Sequence, residues 1–491
     1  MPPERFIAFD FGAESGRAIL GNLERKKIRL EELHRFPNKQ INVSGHIHWD
    51  MSYLMAELKN GLRSAVESGY RELLGLGVDT WGVDFGLVGR DNQILGHPYA
   101  YRDPRTQGMM EKAFRLMSRE KIYHCTGIQF MQFNSVFQLL SMVESQSPLL
   151  EQCETLLFMP DLFNFLLTGQ KCSEYTIAST SQLLNARNKN WEPEIFEKLR
   201  LPFDIMAPLV QPGTSIGRLL PEIAEKTGTL PLDVIAPACH DTASAVAAVP
   251  AQSSNWAYLS SGTWSLLGVE ADAPVITQDS LKNNFTNEGG VDGTIRFLRN
   301  TMGLWLLQSC LKSWQEQGDS LGYDELEGLA QEAQGFKCIV DPDDQLFLNP
   351  PDMPAAIVGF CRSTGQHLPD KKGEFVRCIL ESLALKYRFL IEKINAMRPK
   401  PVEVLHIVGG GSRNELLNQF TANATGLPVI AGPVEATAVG NIMVQAIGKK
   451  ILSGIEEGRR VVARSFPLKD FHPADQDKWN EVYHRIKGMF S

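Results

Sequence analysis

His240 and Asp241 stand side by side in ACHDTASAVAAV, residues 238–249, directly before a run of small residues. The preceding segment DVIAPACHD is typical of a strand, and the small residues favour a helix. Asp241 therefore falls in the first helical turn, where a carboxylate can accept hydrogen bonds from free backbone N–H groups. A carboxylate aimed out of a helix N-terminus can also act as a catalytic base. The segment alone leaves both roles open.

Three glycine-rich turns form a second group of chemically interesting residues: DFGAESGR at 10–17, SSGTWS at 260–265 and VGGGSRN at 408–414. Glycine permits a positive φ and lets a ligand approach the backbone, so that N–H groups can bind phosphate oxygens. The chain lacks a P-loop, the dinucleotide-binding fingerprint and the HRD and DFG motifs of protein kinases. The turns therefore indicate a nucleotide held between two hairpin turns.

Asp10 and Arg17 flank the first of these turns. An Asp at the end of a strand beside a phosphate site can hold Mg²⁺, usually through water. Arg17 can neutralise phosphate charge as the γ-group departs, or it can form an ordinary surface ion pair. The residues alone leave both roles of Arg17 open.

The elements that must position these residues recur in the two halves of the chain. RFIAFD and RAILGNL, on either side of the first turn, predict a β-hairpin, and NWAYLSSGTWSLLGVE at 255–270 predicts a second one. Helical spacing follows in both halves, at YLMAELKNGLRSAVESG and again near 303–317 and 373–397. The pattern predicts two α/β domains, residues 1–245 and 246–491, which each begin with a hairpin.

The composition narrows the class of protein. The chain has 491 residues, of which 43% are hydrophobic and 22% charged, as in ordinary soluble globular proteins. A formal net charge of −8, without a dense basic run, argues against nucleic-acid binding. We expect no membrane span and no export signal. The eight cysteines are scattered without zinc-ligand spacing, so we expect reduced thiols and a cytoplasmic location.

Taken together, the motifs resemble the FGGY family of carbohydrate kinases, in the actin and heat-shock-chaperone ATPase superfamily. The resemblance runs from FDFGAESGR to about Gly448 and includes GVDTWGVDFGLV, YRDPRT, HDTASAV, YLSSGTWSLLG, NFTNEGG and HIVGGGSRN. It implies an α/β fold of two ribonuclease-H-like domains with a nucleotide cleft between them, and the use of ATP and Mg²⁺. The residues at 79–86 and 283–290 differ among members of the family, and at these positions the resemblance implies phosphorylation of L-rhamnulose at its 1-hydroxyl.

The resemblance also implies a nucleotide site, a sugar site and a metal position. The nucleotide site comprises Ala13, Glu14, Ser15, Gly16, Arg17, Thr263, Gln308 and Gly410. The sugar site comprises Gly82, His240, Asp241, Thr242 and Asn300. Asp10 would position Mg²⁺. Glu14 departs from the small neutral residue usual in the family, which matters only if its side chain faces the phosphates.

Asp241 is the residue on which the implied chemistry depends. Phosphoryl transfer to a sugar hydroxyl needs an in-line γ-phosphate, charge neutralisation and a group that accepts the hydroxyl proton. A carboxylate stabilised by a helix N-terminus is ionised at cellular pH, and the proton can move late in a loose transition state. Two alternatives remain: a kinase for L-fuculose, L-ribulose or L-xylulose, and a nucleotide-switched binding protein that needs no base.

Three neighbouring side chains have two interpretations each. His240 either binds a sugar hydroxyl or satisfies a backbone carbonyl at a domain boundary. Trp81 and Phe85 either form an apolar wall against the methyl group of a deoxysugar or belong to the core. For His240 the resemblance favours the sugar ligand, and for the two aromatic residues both roles stay open.

Overall fold

The computed structural model describes residues 3–319 and 321–490. Within these residues the strands are β1 Glu4–Phe11, β2 Ser15–Glu24, β3 Lys27–Pro37, β4 Gln40–Val43, β5 His46–Trp49, β6 Gly75–Thr80, β7 Phe85–Gly89, β8 Cys153–Phe158, β9 Ser173–Glu174, β10 Leu184–Asn185, β11 Asn190–Trp191, β12 Leu209–Val210, β13 Ser215–Arg218, β14 Asp233–Ile235, β15 Trp256–Ser261, β16 Trp264–Ala271, β17 Thr286–Gly289, β18 Ile295–Met302, β19 Val404–Val408, β20 Val429–Ala431 and β21 Lys469–Phe471.

The α-helices of the same residues are α1 Met51–Glu67, α2 Met109–Leu116, α3 Arg119–Thr126, α4 Ser135–Glu144, α5 Pro148–Gln152, α6 Met159–Thr168, α7 Tyr175–Ser179, α8 Pro193–Leu199, α9 Pro221–Thr227, α10 Asp241–Ala247, α11 Gln278–Lys282, α12 Trp305–Glu316, α13 Tyr323–Glu332, α14 Met353–Ser363, α15 Lys372–Ala396, α16 Glu415–Thr425, α17 Ala436–Gly448, α18 Ile455–Ser465 and α19 Gln476–Ile486. None of them combines the length and the apolar character that crossing a membrane requires.

The chain forms two compact units that interleave in sequence. The first contains the residues up to Pro250, Glu270–Phe297 and Ala436–Ser465, and the second contains Ala251–Val269, Leu298–Glu435 and the residues from Phe466 onward. These units differ from the two contiguous domains predicted at 1–245 and 246–491. The difference arises because α17 packs against α10, β1 and β6. Such a contact joins distant parts of the chain, and local sequence patterns do not encode it.

The first unit is built on a six-stranded sheet in the order β13-β14-β6-β1-β2-β3. β1 and β2 form the predicted hairpin, with Asp10 opposite Arg17. β1, β6 and β14 run parallel, and Asp10 is in register with Asp79 of β6. Every residue of β6 is buried, as expected for a parallel strand covered on both faces. The carboxyl ends of these three strands therefore meet at one edge of the sheet, where ligands of open α/β sheets bind.

The small residues after Asp241 allow α17 to approach closely. Apart from Asp241 at its tip, α10 is buried. A Cβ on Gly440 of α17 would lie 1.8 Å from the carbonyl oxygen of Ser244, so the two helices meet backbone to backbone. Gly77 of β6 likewise leaves room for Asn441 of α17, whose Oδ1 would lie 2.5 Å from a Cβ there. The absence of bulk at these positions brings α17 to both the helix and the strand.

The second unit contains the other predicted hairpin. β15 pairs antiparallel with β16 and parallel with β19, which continues through β20 to β21. Helix α15 packs against α13 and α16. Its burial is extensive, since seventeen of its 25 residues are buried. Each unit thus places a hairpin beside a parallel strand, as the repeated sequence pattern predicts.

Gly440→Ala should destabilise the first unit, because the added methyl group would collide with the Ser244 carbonyl. Overpacking of this kind costs about 1–3 kcal/mol. Gly359→Ala in α14 is the matched control, since nothing lies within 4 Å of a Cβ at that position and alanine favours a helix. Thermal unfolding of both variants beside the parent protein measures the effect. Equal melting temperatures would contradict the close contact between α10 and α17.

Candidate active site

Three carboxyl groups gather at the carboxyl ends of the parallel strands. Asp10 and Asp79 lie near the ends of β1 and β6, and Asp241 begins α10 directly after His240, which forms a parallel bridge with Thr80. Asp10 is 6% exposed and Asp79 is fully buried. Burial raises the pKa of Asp79 well above its ordinary value, and the neighbouring Asp10 and Asp241 raise it further. Acidic groups are therefore concentrated at this edge, and their proximity disfavours the ionised form of Asp79.

Arg17 and Asn441 offset part of this charge. The Arg17 guanidinium forms an ion pair with Asp10 across the hairpin, and both side chains are largely buried. Asn441 Nδ2 donates a hydrogen bond to Asp79 Oδ2 at 2.6 Å. The second carboxyl oxygen of Asp79, Oδ1, is buried and has no hydrogen-bond partner within the described residues. Arg17 is thus part of the carboxylate cluster and does not form an exposed surface pair.

Asp241 is the carboxyl group of this cluster that solvent reaches, with 30% of its side chain exposed. Its Oδ1 accepts hydrogen bonds from the backbone N–H and the hydroxyl of Thr242. Burial raises the pKa of Asp241 above its ordinary value; His240 and Thr242 oppose the rise, and Asp10 adds to it. Burial therefore outweighs the stabilisation that the helix N-terminus was expected to give this carboxylate. The net effect makes Asp241 a stronger base than an ordinary aspartate.

Gly82 lies against His240. A Cβ on Gly82 would stand 3.3 Å from His240 Nε2 and 3.5 Å from Thr180. The N–H of Asp84 donates to the Gly82 carbonyl at 2.9 Å, which closes a three-residue turn around Val83. Val83 has φ 69°, a region that β-branched residues rarely adopt and that persists only where the surroundings enforce it.

Asp84 holds this strained turn through four buried hydrogen bonds. Its Oδ2 accepts from Trp49 Nε1 at 2.7 Å, Trp81 Nε1 at 2.9 Å and the Tyr101 N–H at 3.0 Å. Its Oδ1 accepts from Gln138 Nε2 at 2.9 Å. Burial raises the pKa of Asp84 to about 6, although all four donors act to lower it. The acid is therefore the common acceptor that ties the turn to three other segments.

Trp81 and Phe85 are core residues. Each is 5% exposed, and they pack in two different hydrophobic clusters of the first unit. The Trp81 ring lies 4.2 Å from that of Trp49, and its indole N–H is occupied by Asp84. Of the two interpretations of these aromatic residues, the structure supports the core.

His240 is fixed at its backbone by two polar residues of β9 and α7. Its own N–H donates to Thr176 Oγ1 at 3.2 Å, and the N–H of Cys239 donates to Glu174 Oε2 at 3.1 Å. Glu174 also accepts hydrogen bonds from the first turn of α7. Burial raises the pKa of Glu174 to about 7. The strand end that carries His240 and Asp241 is thus anchored by a buried acid.

Charged groups also surround the imidazole ring of His240. Nδ1 lies 3.0 Å from Arg296 Nη2 and 3.3 Å from Glu288 Oε2. Nε2 lies 3.4 Å from Asp241 Oδ1. The ring therefore lies between the partly exposed Asp241 and a buried ion pair, and both of its nitrogen atoms lie close to charged side chains.

The turn between β1 and β2 is braced through its carbonyl groups. The carbonyls of Gly12 and Glu14 accept hydrogen bonds from the side chain and the backbone N–H of Asn38, at 2.9 Å each. The Glu14 side chain is exposed, so its departure from a small residue is accommodated in solvent. A Cβ on Gly16 would lie 2.2 Å from the Phe36 ring, so this glycine serves close packing and not the positive φ expected. In or beside this turn lie Ala13, Glu14, Ser15, Gly16 and Arg17.

The other predicted nucleotide residues lie in the second unit. Thr263 is in the β15–β16 turn, and its carbonyl accepts hydrogen bonds from the N–H groups of Gly303 and Trp305 at 3.1 and 3.2 Å. Gln308 is on α12, and its buried Oε1 has no hydrogen-bond partner among the described residues. Gly410 is exposed, with nothing within 4 Å of its Cβ position. An unsatisfied amide oxygen and an open backbone surface suit a nucleoside.

The structure brings together within the first unit four of the five predicted sugar-site residues: Gly82, His240, Asp241 and Thr242. Asn300 lies on β18 in the second unit. Sequence reasoning missed Asp79, Glu288 and Arg296. Asp79 follows the apolar and small residues of β6, and charged residues are rarely buried unless they are paired. That signal could have identified Asp79, whereas the strand IRFLRNTM that contains Arg296 has several polar residues and gives no such signal.

Asp84→Asn should destabilise the first unit, because the amide NH₂ group would face N–H donors that the carboxylate now satisfies. Each buried donor left unsatisfied costs about 1–3 kcal/mol. The exposed Asp91→Asn in the turn after β7 is the control for the same chemical change. Thermal unfolding compares the two variants, and a melting temperature for Asp84→Asn equal to that of the control would contradict the role of Asp84.

The free energy of unfolding should fall as pH rises from about 4.5 to about 7, in part because of Glu174. The folded protein holds the Glu174 proton up to the higher pH, whereas the unfolded chain releases it near the lower, ordinary pKa. Glu174→Gln cannot ionise, so its fall should be smaller. Denaturant unfolding across this range, with the exposed Glu197→Gln as control, measures the slope. An unchanged slope in Glu174→Gln would exclude this contribution.

The chain matches known families and proteins over nearly its whole length. The N-terminal domain model of the FGGY family of carbohydrate kinases matches residues 5–248, and the C-terminal domain model matches residues 257–448. The rhamnulokinase of Bacteroides thetaiotaomicron is 49% identical over 484 residues, which cover 99% of each chain. The rhamnulokinase of Bacillus subtilis is 40% identical over 473 residues, 96% of each chain.

Solved structures share the fold at low sequence identity. A ligand-bound xylulose kinase from Lactobacillus acidophilus superimposes with a TM-score of 0.82 at 15% identity, covering 99% of this chain and 97% of that one. A glycerol kinase from Plasmodium falciparum with ADP gives a TM-score of 0.81 at 14% identity, with coverage of 99% and 98%. These matches show that the chain shares the fold of these two solved structures. With family models matching both halves, the chain belongs to the FGGY family of carbohydrate kinases.

Proposed function

We propose that this protein transfers the γ-phosphoryl group of ATP to the 1-hydroxyl of L-rhamnulose, and that it works in the cytoplasm. Relatives named rhamnulokinase support the choice of sugar, because they match it over nearly the whole chain. The observation that carries the proposal is Asp241, a partly exposed carboxyl group with a raised pKa. It stands beside His240 at the sheet edge that also carries Asp10 and Arg17.

Asp241 is the proposed catalytic base. Its carboxylate accepts the hydrogen of the attacking hydroxyl and takes the proton as the phosphoryl group arrives. The raised pKa strengthens this acceptor, and a loose transition state allows the proton to move late. General-base catalysis of this kind contributes about 10²- to 10⁴-fold. Thr242 holds the carboxylate in place through its N–H and hydroxyl groups.

The sugar binds beside Gly82 and His240 in this proposal. Gly82 has no side chain, which leaves space next to His240 Nε2 for a hydroxyl group. The strained turn at Val83, locked by Asp84, keeps that space open. Asn300 is a further proposed sugar ligand.

The nucleotide phosphates bind the turn between β1 and β2. Asn38 donates hydrogen bonds to the Gly12 and Glu14 carbonyls and so fixes the turn. The N–H groups of Ala13 and Glu14 can then bind phosphate oxygens. Arg17 neutralises charge near the transferred group. Thr263, Gln308 and Gly410 are the further residues proposed to bind the nucleotide.

Mg²⁺ fits the donor chemistry at the ends of β1 and β6. Mg²⁺ binds one or two carboxylates together with waters and substrate phosphates. Asp10 supplies a carboxylate, and the unpartnered Oδ1 of Asp79 is a second oxygen of the required type. Within the described residues, no group of three or more His, Cys, Asp or Glu side chains forms a metal site. When bound, the ion supplies charge neutralisation for the transferred phosphoryl group.

Asp241→Asn should lower kcat for L-rhamnulose by about 10²- to 10⁴-fold, because the amide cannot accept the proton. Coupled ADP release with Mg·ATP and L-rhamnulose, L-fuculose, L-ribulose or L-xylulose measures both the loss and the sugar preference. The exposed Asp204→Asn, far along the chain from α10, is the control.

Each outcome of this experiment points to one function. Preference for another ketulose would replace the proposed sugar and keep the mechanism. A sugar-independent ATPase that is indifferent to Asp241→Asn would instead favour a nucleotide-switched binding protein.

A further inference from the structure

Arg296 and Glu288 form a buried ion pair behind His240. The Arg296 side chain is fully buried and that of Glu288 is 6% exposed, and Arg296 Nη2 lies 3.1 Å from Glu288 Oε2. Arg296 Nε donates to the Gly289 carbonyl at 2.8 Å. Although burial opposes it, the Arg296 guanidinium lowers the pKa of Glu288 below its ordinary value. The pair is therefore charged, and removing one partner would leave the other uncompensated.

The geometry of Arg296 determines where His240 carries its hydrogen. Arg296 Nη2 donates to His240 Nδ1 at 3.0 Å. A guanidinium group has only donors, so Nδ1 must present its lone pair. The hydrogen of the neutral imidazole then sits on Nε2. Nε2 is the ring nitrogen that faces Gly82 and Asp241.

Glu288 alone would place the hydrogen of His240 on Nδ1. Its Oε2 is 3.3 Å from the same Nδ1, and a carboxylate beside an imidazole nitrogen draws the hydrogen to that nitrogen. Arg296 competes for Nδ1 with the better hydrogen-bond geometry, since Glu288 Oε2 has no hydrogen-bond partner among the described residues. Glu288 thus fixes the Arg296 guanidinium group, and this group determines which nitrogen of the His240 ring carries the hydrogen.

We infer that Arg296, held by Glu288, is a positioning residue for phosphoryl transfer, because it keeps the hydrogen of His240 on Nε2 at the sugar pocket. This inference rests on the proposed function. An Nε2–H group donates to the oxygen of the attacking hydroxyl. The hydrogen of that hydroxyl is then turned toward the carboxylate of Asp241.

The pair is anchored to the element that also fixes the His240 backbone. The N–H of Gly289 donates to Ser179 Oγ at 2.8 Å, and a Cβ on Gly289 would lie 2.5 Å from the Tyr175 ring. Both residues belong to α7, which supplies the Thr176 hydroxyl to the His240 N–H. The backbone of His240 and the ion pair that contacts its ring are therefore both fixed to α7, which restricts movement of the ring.

Nitrogen-15 NMR of protein labelled in its ten histidines tests the inference directly. His240→Gln identifies the His240 signals by their loss. In the parent protein near neutral pH, His240 should show a protonated Nε2 and an unprotonated Nδ1. In Arg296→Lys the compact ammonium cannot reproduce the planar fork, so hydrogen should appear on Nδ1 beside Glu288.

Kinetics of the same variants provide the functional readout. Arg296→Lys should lower kcat with L-rhamnulose about 10- to 100-fold, the size of one charge-assisted hydrogen bond, and leave KM for ATP unchanged. Arg377→Lys is the matched control, since Arg377 is a largely buried arginine of the second unit that donates to Glu381 and to the Ala330 carbonyl. It should leave the His240 signals unchanged.

Two results would overturn the inference: an Nδ1–H tautomer in the parent protein, or parent-like His240 signals in Arg296→Lys. The parent spectrum alone decides the tautomer if the variant does not fold. Failure of the proposed function is seen separately, as absence of ketose phosphorylation by the parent protein. That result would also remove the positioning role, whatever the tautomer.

Discussion

Repulsion among Asp10, Asp79 and Asp241 is the constraint on which much of the first unit depends. Parallel strands bring these acids to one edge, and burial removes the water that would otherwise screen them. The repulsion is reduced in a different way at each of the three acids. Asp10 has a cation, Asp79 has a neutral amide and a raised pKa, and Asp241 keeps access to solvent. The acid left most available is the one proposed as the base.

Three polar residues fix the backbone around this edge by hydrogen bonds and leave the neighbouring reactive side chains free. Asp84 fixes the turn that contains Gly82, and Glu174 fixes the strand end that contains His240. Asn38 does the same for the first hairpin turn. None of these three is proposed to touch substrate. Rigid support of this kind keeps catalytic groups in place before the ligand arrives.

Local patterns in the sequence predicted much of the fold and the visible part of the site. Both hairpins, the strand before Asp241 and the helix after it follow from alternation, small-residue turns and helical spacing. The two-domain kinase fold came from the family resemblance. The interleaved units did not follow, because the packing of Gly440 on Ser244 is a tertiary contact across almost two hundred residues.

The polar interior was the other part that the sequence did not reveal. Burial and partner identity decide the state of an acid, and neither can be read from neighbouring residues. Asp241 illustrates this, since its pKa moves upward although its place at a helix N-terminus suggested the reverse. Arg296 and Glu288 illustrate it again, because their significance depends on one ring nitrogen of His240.

The late position of α17 in the chain has a consequence for protein synthesis. The first unit includes residues up to Pro250 but also Ala436–Ser465. A ribosome adding about 5–20 residues per second therefore leaves the β1–β6 surface without α17 for roughly 20 to 70 seconds. During that interval the surface at Gly75 and Gly77 of β6, which Asn441 and Gln445 of α17 cover in the folded protein, stays uncovered. The core of the first unit is therefore completed only when the last ninth of the chain has been synthesised.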